Sequence, residues 1–149
     1  MLLEELSADE CMVLAQIAGP EGVLEVGSCA ITEGEPGDSL FIVQSGRLQV
    51  EKEIGENSTK RLQELGPGDF FGEMSFLNKA PRSASVRALT MCSLLEVNAE
   101  KFERLIAENA PLGVKFMRGM ARELTWRLRA TNEELKKSIR WAIEGWTLT

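Results

Sequence analysis

Residues 70–88 read FFGEMSFLNKAPRSASVRA. Within nineteen residues this stretch sets a Gly-Glu pair, a short apolar turn, a Pro-Arg-Ser-Ala step and a strand-like run. Gly72 lets a backbone approach a ligand with no side chain in the way. The Glu73 carboxylate accepts hydrogen bonds from sugar hydroxyls. The Arg82 guanidinium is a planar fork that matches two phosphate oxygens. Ser83 adds a hydroxyl and Ala84 an amide, the latter small where the backbone must come close. A sugar next to a single anionic phosphate suits both halves of the stretch.

Ten of the thirteen glycines fall between Gly19 and Gly72, separated by short β-prone runs at 23–26, 40–43, 48–53 and 60–65. Leu48 and Val50 alternate with Gln49 and Glu51, as in a half-buried strand. Ser45-Gly46 has the form of a two-residue hairpin turn between the second and third runs. Residues 54–59 make a polar loop between hairpin arms. After the quoted stretch, 85–89 and 93–97 read as two more strands. Short strands at regular spacing with turn signals indicate a β-sandwich or a barrel-like roll.

Helices flank this region. Ser7-Ala8-Asp9-Glu10 is a capping box, followed by an apolar face at Val13, Leu14, Ile17 and Ala18 and a stop at Gly19-Pro20. Asn98 suits the N-cap of a helix carrying Phe102, Leu105 and Ile106. Pro111 suits the first turn of a further helix. From Val114 a heptad-like seam runs through Met117, Ala121, Leu124, Leu128, Thr131, Leu135, Ser138 and Ala142. Its second half is polar or small, and Ile139, Ile143 and Trp146 indicate a shifted face.

Three motifs in order resemble the cyclic nucleotide-binding domain family. The first is Gly34, Gly37-Asp38, Phe41-Ile42-Val43, Gly46 and Val50. The second is Gly66-Pro67-Gly68-Asp69. The third is Phe71-Gly72-Glu73-Met74-Ser75 followed by Pro81-Arg82-Ser83-Ala84-Ser85-Val86 and Ala88, which resembles the family's phosphate-binding cassette. The resemblance covers nearly the whole chain and implies a mainly β fold with flanking helices. That fold is an antiparallel, jelly-roll-like β-roll with an N-terminal helix and C-terminal helices. Residues 1–149 are then one cyclic nucleotide-binding domain. Helix and roll occupy 6–110, the cassette 70–88 and the C-terminal helices 111–146.

The resemblance also implies roles. Arg82 binds the exocyclic oxygens of the cyclic phosphate, and Glu73 the ribose 2′-hydroxyl. The expected ligand site is Gly72, Glu73, Met74, Ser75, Arg82, Ser83 and Ala84. In the family, residues of the last helix close the pocket over the base. The candidates here are Arg127, Leu128, Thr131 and Asn132, with Trp126, Trp141 and Trp146 as stacking aromatics. Ser83 leaves cAMP and cGMP both open, with cAMP favoured. Phe71, Met74 and Leu77 read as core or pocket wall, Arg87 as a solvated strand residue and Gly37-Asp38 as turn chemistry.

Composition excludes several function classes. The chain has no histidine, which removes the commonest general base and the commonest haem ligand. Cys11, Cys29 and Cys92 form no CxxC pair, so no zinc site is indicated and their expected role is small apolar packing. No cofactor, metal site or catalytic residue is therefore expected, and the chain reads as a non-enzyme. Residues 1–110 hold nine Lys/Arg and nineteen Asp/Glu, net −10; residues 111–149 hold eight and four, net +4, which together recover the −6 of the whole. An acidic body is a poor nucleic-acid surface. No apolar run reaches membrane-spanning length and the acidic N-terminus lacks a signal peptide's basic start. The expectation is a cytoplasmic regulatory domain with a cyclic nucleotide as ligand, a homodimer through the last helix and an effector protein as partners. Two alternatives stand beside it. One is the sensory half of a catabolite activator-type DNA-binding regulator, whose helix-turn-helix would follow the long helix. The other is an interaction module that no longer binds nucleotide.

Overall fold

The computed structural model describes residues 2–147, with side chains as far as Gly145. Helix α1 (Ala8–Ala18) opens on the expected capping box: the Glu10 N–H donates to Ser7 Oγ at 3.2 Å and the Ser7 N–H to Glu10 Oε1 at 3.1 Å. Eight strands follow: β1 (Gly22–Leu24), β2 (Cys29–Ile31), β3 (Leu40–Ser45), β4 (Leu48–Glu53), β5 (Thr59–Leu65), β6 (Phe70–Phe71), β7 (Ser85–Ala88) and β8 (Cys92–Val97). A short helix, α2 (Glu73–Asn78), lies between β6 and β7, and α3 (Ala99–Glu108) and α4 (Ala110–Thr147) complete the chain.

The strands form two four-stranded antiparallel sheets, ordered β1-β8-β3-β6 and β2-β7-β4-β5. This is the β-roll with flanking helices that the motifs imply. Side-chain alternation along the strands divides the core in two. Val43, Phe71, Cys92 and Leu94 from the first sheet meet Leu48, Leu65, Val86 and Ala88 from the second, which fills the roll. On the other side of the first sheet, Leu40, Ile42, Phe70, Leu95 and Val97 meet Leu14, Ile17, Leu105, Leu112, Phe116 and Met120 from the helices. Neighbouring residues Phe70 and Phe71 therefore point into different cores.

Three local expectations are corrected. Ser45-Gly46 is not a hairpin turn, because β3 and β4 lie in different sheets and do not pair. The turn is a corner that carries the chain from one sheet to the other. Gly46 has φ +91, and a Cβ there would sit 2.4 Å from the Met91 carbonyl oxygen and 2.6 Å from Cys92 Sγ. Turn chemistry marks the change of direction but not the partner strand. The hairpin expected across the polar loop that starts at residue 54 does form, between β4 and β5. The first strand is shorter than its apolar run and ends at Leu24, and β2 follows after the turn at Gly27. Of the cysteines only Cys92 is buried; Cys11 and Cys29 are half-buried.

The C-terminal region after α3 is one 38-residue helix rather than several, about 57 Å long at 1.5 Å per residue. Asn98 caps α3, its Oδ1 accepting from the Lys101 N–H at 2.8 Å, and Asn109 Oδ1 accepts from the Leu112 N–H at 3.2 Å where α4 begins. Two glycines inside α4 are contact points. A Cβ on Gly119 would lie 3.0 Å from the buried Leu2 side chain, and one on Gly113 would lie 3.1 Å from Ile106. Phe76, Phe102 and Phe116 form a chain of rings at 5.4 and 5.6 Å that ties α2, α3 and α4 together. From Leu128 to Glu144 every residue of α4 is exposed. Among the described residues no helix is long and apolar enough to cross a membrane.

Gly46→Ala is expected to lower stability by about 2–4 kcal/mol, combining a left-handed backbone cost with overpacking against β8. Urea unfolding checks this, and a midpoint unchanged from wild type would refute the corner geometry.

Candidate functional site

The quoted stretch forms β6, α2, the loop that follows and β7. Gly72 takes φ +85 where β6 gives way to α2. Its carbonyl accepts the Phe76 N–H at 3.1 Å. Residue 82 is held on both sides of its backbone. The Arg82 N–H donates to the Glu35 carbonyl at 2.9 Å and its own carbonyl accepts the Gly34 N–H at 2.8 Å. These bonds bring the glycine-rich turn after β2 against the cassette, regions nearly fifty residues apart.

The Arg82 side chain is buried, only 7% exposed. Nη1 donates to the Ser39 carbonyl at 2.8 Å and to the Gly72 carbonyl at 3.3 Å, and the guanidinium carbon stands 5.9 Å from the Phe41 ring centre. A Cβ on Gly37 would lie 2.6 Å from Nε, and one on Gly72 would lie 2.8 Å from Nη1 and 2.6 Å from the Ser39 carbonyl oxygen. Gly37 is thus not turn chemistry alone: it admits the guanidinium. Burial pulls the Arg82 pKa below its ordinary value, opposed by the carboxylates of Asp38, Glu96 and Glu73. Glu96 is held by the Ser39 hydroxyl, which donates to it at 2.6 Å.

A cavity of about 140 Å³ opens beside this guanidinium. Gly72, Glu73, Met74, Ser75, Arg82, Ser83 and Ala84 all line it, so the structure brings the seven cassette residues to one place. Arg127 lines it from α4. Its Nη2 donates to the Phe70 carbonyl at 2.8 Å and its guanidinium lies 4.4 Å from the Phe70 ring centre. Nη1 is 3.8 Å from Glu73 and Nε 3.7 Å from Glu123.

Leu128, Thr131 and Asn132 are not brought to the cavity. Leu128 is 61% exposed and lines no part of the cavity, and the Thr131 hydroxyl donates back to the Arg127 carbonyl. Asn132 is exposed. The physical reason is that α4 leaves the roll at Arg127, so the next turn has nothing beneath it. Trp126 and Trp141 are exposed and line no part of this cavity, and the Trp146 side chain lies outside the described residues. Leu77 is 42% exposed rather than core. Arg87 is not simply solvated: it pairs with Glu51 at 3.1 Å and donates to the Gly27 carbonyl at 2.7 Å.

Sequence reading missed the far wall, formed by Ile31, Val50, Gln63, Leu65 and Val86. Val50, Leu65 and Val86 carry the signal of alternating apolar strand positions. Gln63 carries none that local pattern reveals. Ser75 Oγ and Arg127 Nε are the buried side-chain nitrogen or oxygen atoms that lack a hydrogen bond among the described residues. Both residues line this cavity. The arrangement offers a buried cation, a carboxylate and apolar walls: it is built to hold an anion joined to a hydroxyl-bearing group. No cluster of three His, Cys, Asp or Glu suited to a metal exists among the described residues.

The profile of the family described as "Cyclic nucleotide-binding domain" matches residues 22–109. The CRP-like cAMP-activated global transcriptional regulator of Mycobacterium tuberculosis is 31% identical over 113 residues, which cover 76% of this chain and 49% of that protein. The cAMP-dependent protein kinase regulatory subunit of Yarrowia lipolytica is 37% identical over 105 residues, covering 70% of this chain and 27% of the subunit. The chain thus spans about half the length of the first relative and about a quarter of the second. The crystal structure of Thermus thermophilus catabolite activator protein superposes with a TM-score of 0.78 at 30% identity, over 91% of this chain and 61% of that one.

Gly37→Ala is expected to force the guanidinium off its seat. In a crystal structure of the variant Arg82 Nη1 should no longer be within hydrogen-bond distance of the Ser39 carbonyl, about 3.2 Å; retention of that bond would refute the role given to Gly37.

Proposed function

We propose that this chain, which belongs to the cyclic nucleotide-binding domain family, is a non-catalytic regulatory domain that binds cAMP in preference to cGMP and signals through α4. The observation that carries this reading is the buried Arg82 guanidinium facing a cavity that also holds Glu73. Arg82, Ser83 and Ala84 take the cyclic phosphate. Gly72 and Glu73 take the ribose, with Met74 and Ser75 completing that wall. The base lies toward the β4–β5 hairpin and α4. Both relatives above are named for cAMP, which supports the choice of nucleotide.

Arg127 gives the signal a route. It joins α4 to the Phe70 carbonyl and sits beside Glu73, the proposed ribose acceptor. Ligand at Glu73 changes the electrostatic partner of Arg127 and so biases the position of α4. A ligand shifts such an equilibrium only by its differential affinity for the two states. The exposed seam of Val114, Met117, Ala121, Leu128 and Leu135 supports pairing with a second copy, and an effector protein would read the helix. Leu124 of the expected seam is turned toward the helix-side core instead. The likeness to catabolite activator protein favours a second reading, in which this domain is the sensory half of a longer DNA-binding regulator; the length of the natural gene product decides between them.

Arg82→Ala is expected to weaken cAMP binding by about 2–4 kcal/mol, roughly thirty- to a thousand-fold, through loss of a buried charged contact. Calorimetry with cAMP, cGMP and 5′-AMP checks it. Unchanged affinity would sink this placement of the phosphate, and no heat from any ligand with folded, ligand-free protein would favour the interaction module. Sedimentation equilibrium should give a dimer; a monomer at high concentration would remove the seam's role.

A further inference from the structure

Helix α4 presents three faces, spaced by about a third of a turn at roughly 100° per residue. Leu112, Phe116 and Met120 lie on the first and are buried in the helix-side core. Met117, Ala121, Leu128 and Leu135 lie on the second, the seam offered above to another copy. Arg118, Arg122, Trp126 and Arg129 lie on the third, where neither core nor seam uses them. Their spacing sets them on successive turns, and with Ala121 and Thr125 they line a shallow concavity. Trp126 is 69% exposed, and the Arg129 guanidinium carbon stands 6.0 Å from its ring centre. Arg118 and Arg129 enter no ion pair or hydrogen bond among the described residues. An exposed tryptophan among arginines has the composition of an interface hot spot, where Trp and Arg dominate.

The chain's own N-terminal segment shows what chemistry this side of α4 takes. Residues 2–6 read LLEEL. Leu2 is buried against Gly119, Glu5 pairs with Arg122, and Glu10 at the start of α1 pairs with Lys115 at 2.9 Å. A leucine-bearing acidic segment therefore lies on the turns that precede Trp126. Its carboxylates reach Lys115 and Arg122 but leave Arg118 and Arg129 unpaired. The cationic stretch is short, because Glu133 stands beyond Trp126 and Arg129 at the adjoining hollow. Residues 1–110 carry net −10 against net +4 for 111–149. A long polyanion laid on α4 would run into that acidic body, whereas a short acidic segment meets the helix alone.

We infer that the face formed by Arg118, Trp126 and Arg129 docks a short acidic, leucine-bearing segment of a partner protein. Its carboxylates pair with the arginines and an apolar side chain covers the Trp126 ring. The inference rests on the reading in which an effector protein reads α4, and names the place and the partner's chemistry. It does not depend on nucleotide, since none of the three residues lines that cavity. It is tested by fluorescence anisotropy of the full chain with a labelled peptide of repeated Glu-Glu-Leu triplets and its Gln-Gln-Leu counterpart. An oligouridylate and phosphatidylserine vesicles serve as rival probes. Wild type is expected to bind the glutamate peptide, more weakly as salt rises, and not the glutamine peptide. Trp126→Ala and the double variant Arg118→Glu, Arg129→Glu, each shown to melt like wild type, should weaken it about ten-fold or more. Arg104→Glu, an exposed charge reversal on α3, should leave it unchanged. No binding by wild type, equal binding of both peptides, or an equal loss in Arg104→Glu overturns the inference. So does tighter binding of the oligouridylate or the vesicles through the same residues, which makes the face one for nucleic acid or lipid. Calorimetry with cAMP on the same preparations separates the two readings. Peptide binding without cAMP binding removes the nucleotide alone, and cAMP binding without peptide binding removes this inference alone.

Discussion

A buried guanidinium dictates much of this architecture. Arg82 is taken almost wholly out of water, and a charge in that position is costly unless its N–H groups are bonded and opposite charge stands near. Meeting those needs draws in parts of the chain that share no local relationship. The turn at Gly34 and Glu35 grips the backbone of residue 82, Ser39 and Gly72 supply carbonyls, and Asp38, Glu96 and Glu73 supply negative charge. Glycine is required at 37 and 72 because any side chain there would occupy the guanidinium's space. The route of the chain between β2 and β3, the left-handed step into α2 and the start of β3 are all consequences of seating one side chain.

Arg127 plays the corresponding part for the helical layer. It stacks on the Phe70 ring, bonds the Phe70 carbonyl and stands between Glu73 and Glu123. Before it, α4 is pinned by Leu112, Phe116 and Met120 in the helix-side core; after it, the helix is exposed on every face. The last cation to touch the roll is thus also a wall of the cavity.

Much of this was legible in the residues. The capping box at Ser7, the N-cap at Asn98, the polar hairpin loop at 54–59 and the cassette motif carry their own local chemistry, and the structure gathers all seven cassette residues around one cavity. What failed to read out depends on contacts between distant segments. Ser45-Gly46 looks like a hairpin because a turn signal holds no information about which strands pair. The base-facing candidates on α4 share a helix segment, but only Arg127 lies where the roll is still beneath it. Gln63 was missed because a polar residue in a strand reads as an outward one, although alternation from the buried Leu65 and the pairing with Val50 put it on the cavity side. Gly37 passed for turn chemistry because the group it makes room for is forty-five residues further along.

Strand β6 is only two residues long, yet one of its rings completes the helix-side core and the other completes the roll interior, where Phe71 stacks on Phe41 at 5.2 Å. A wall shared in this way leaves neither core able to open alone, since releasing Phe70 drags Phe71 with it. Helical layer and roll should therefore melt as one cooperative unit, with amide exchange on both sides of β6 governed by a single global opening rather than by two independent ones.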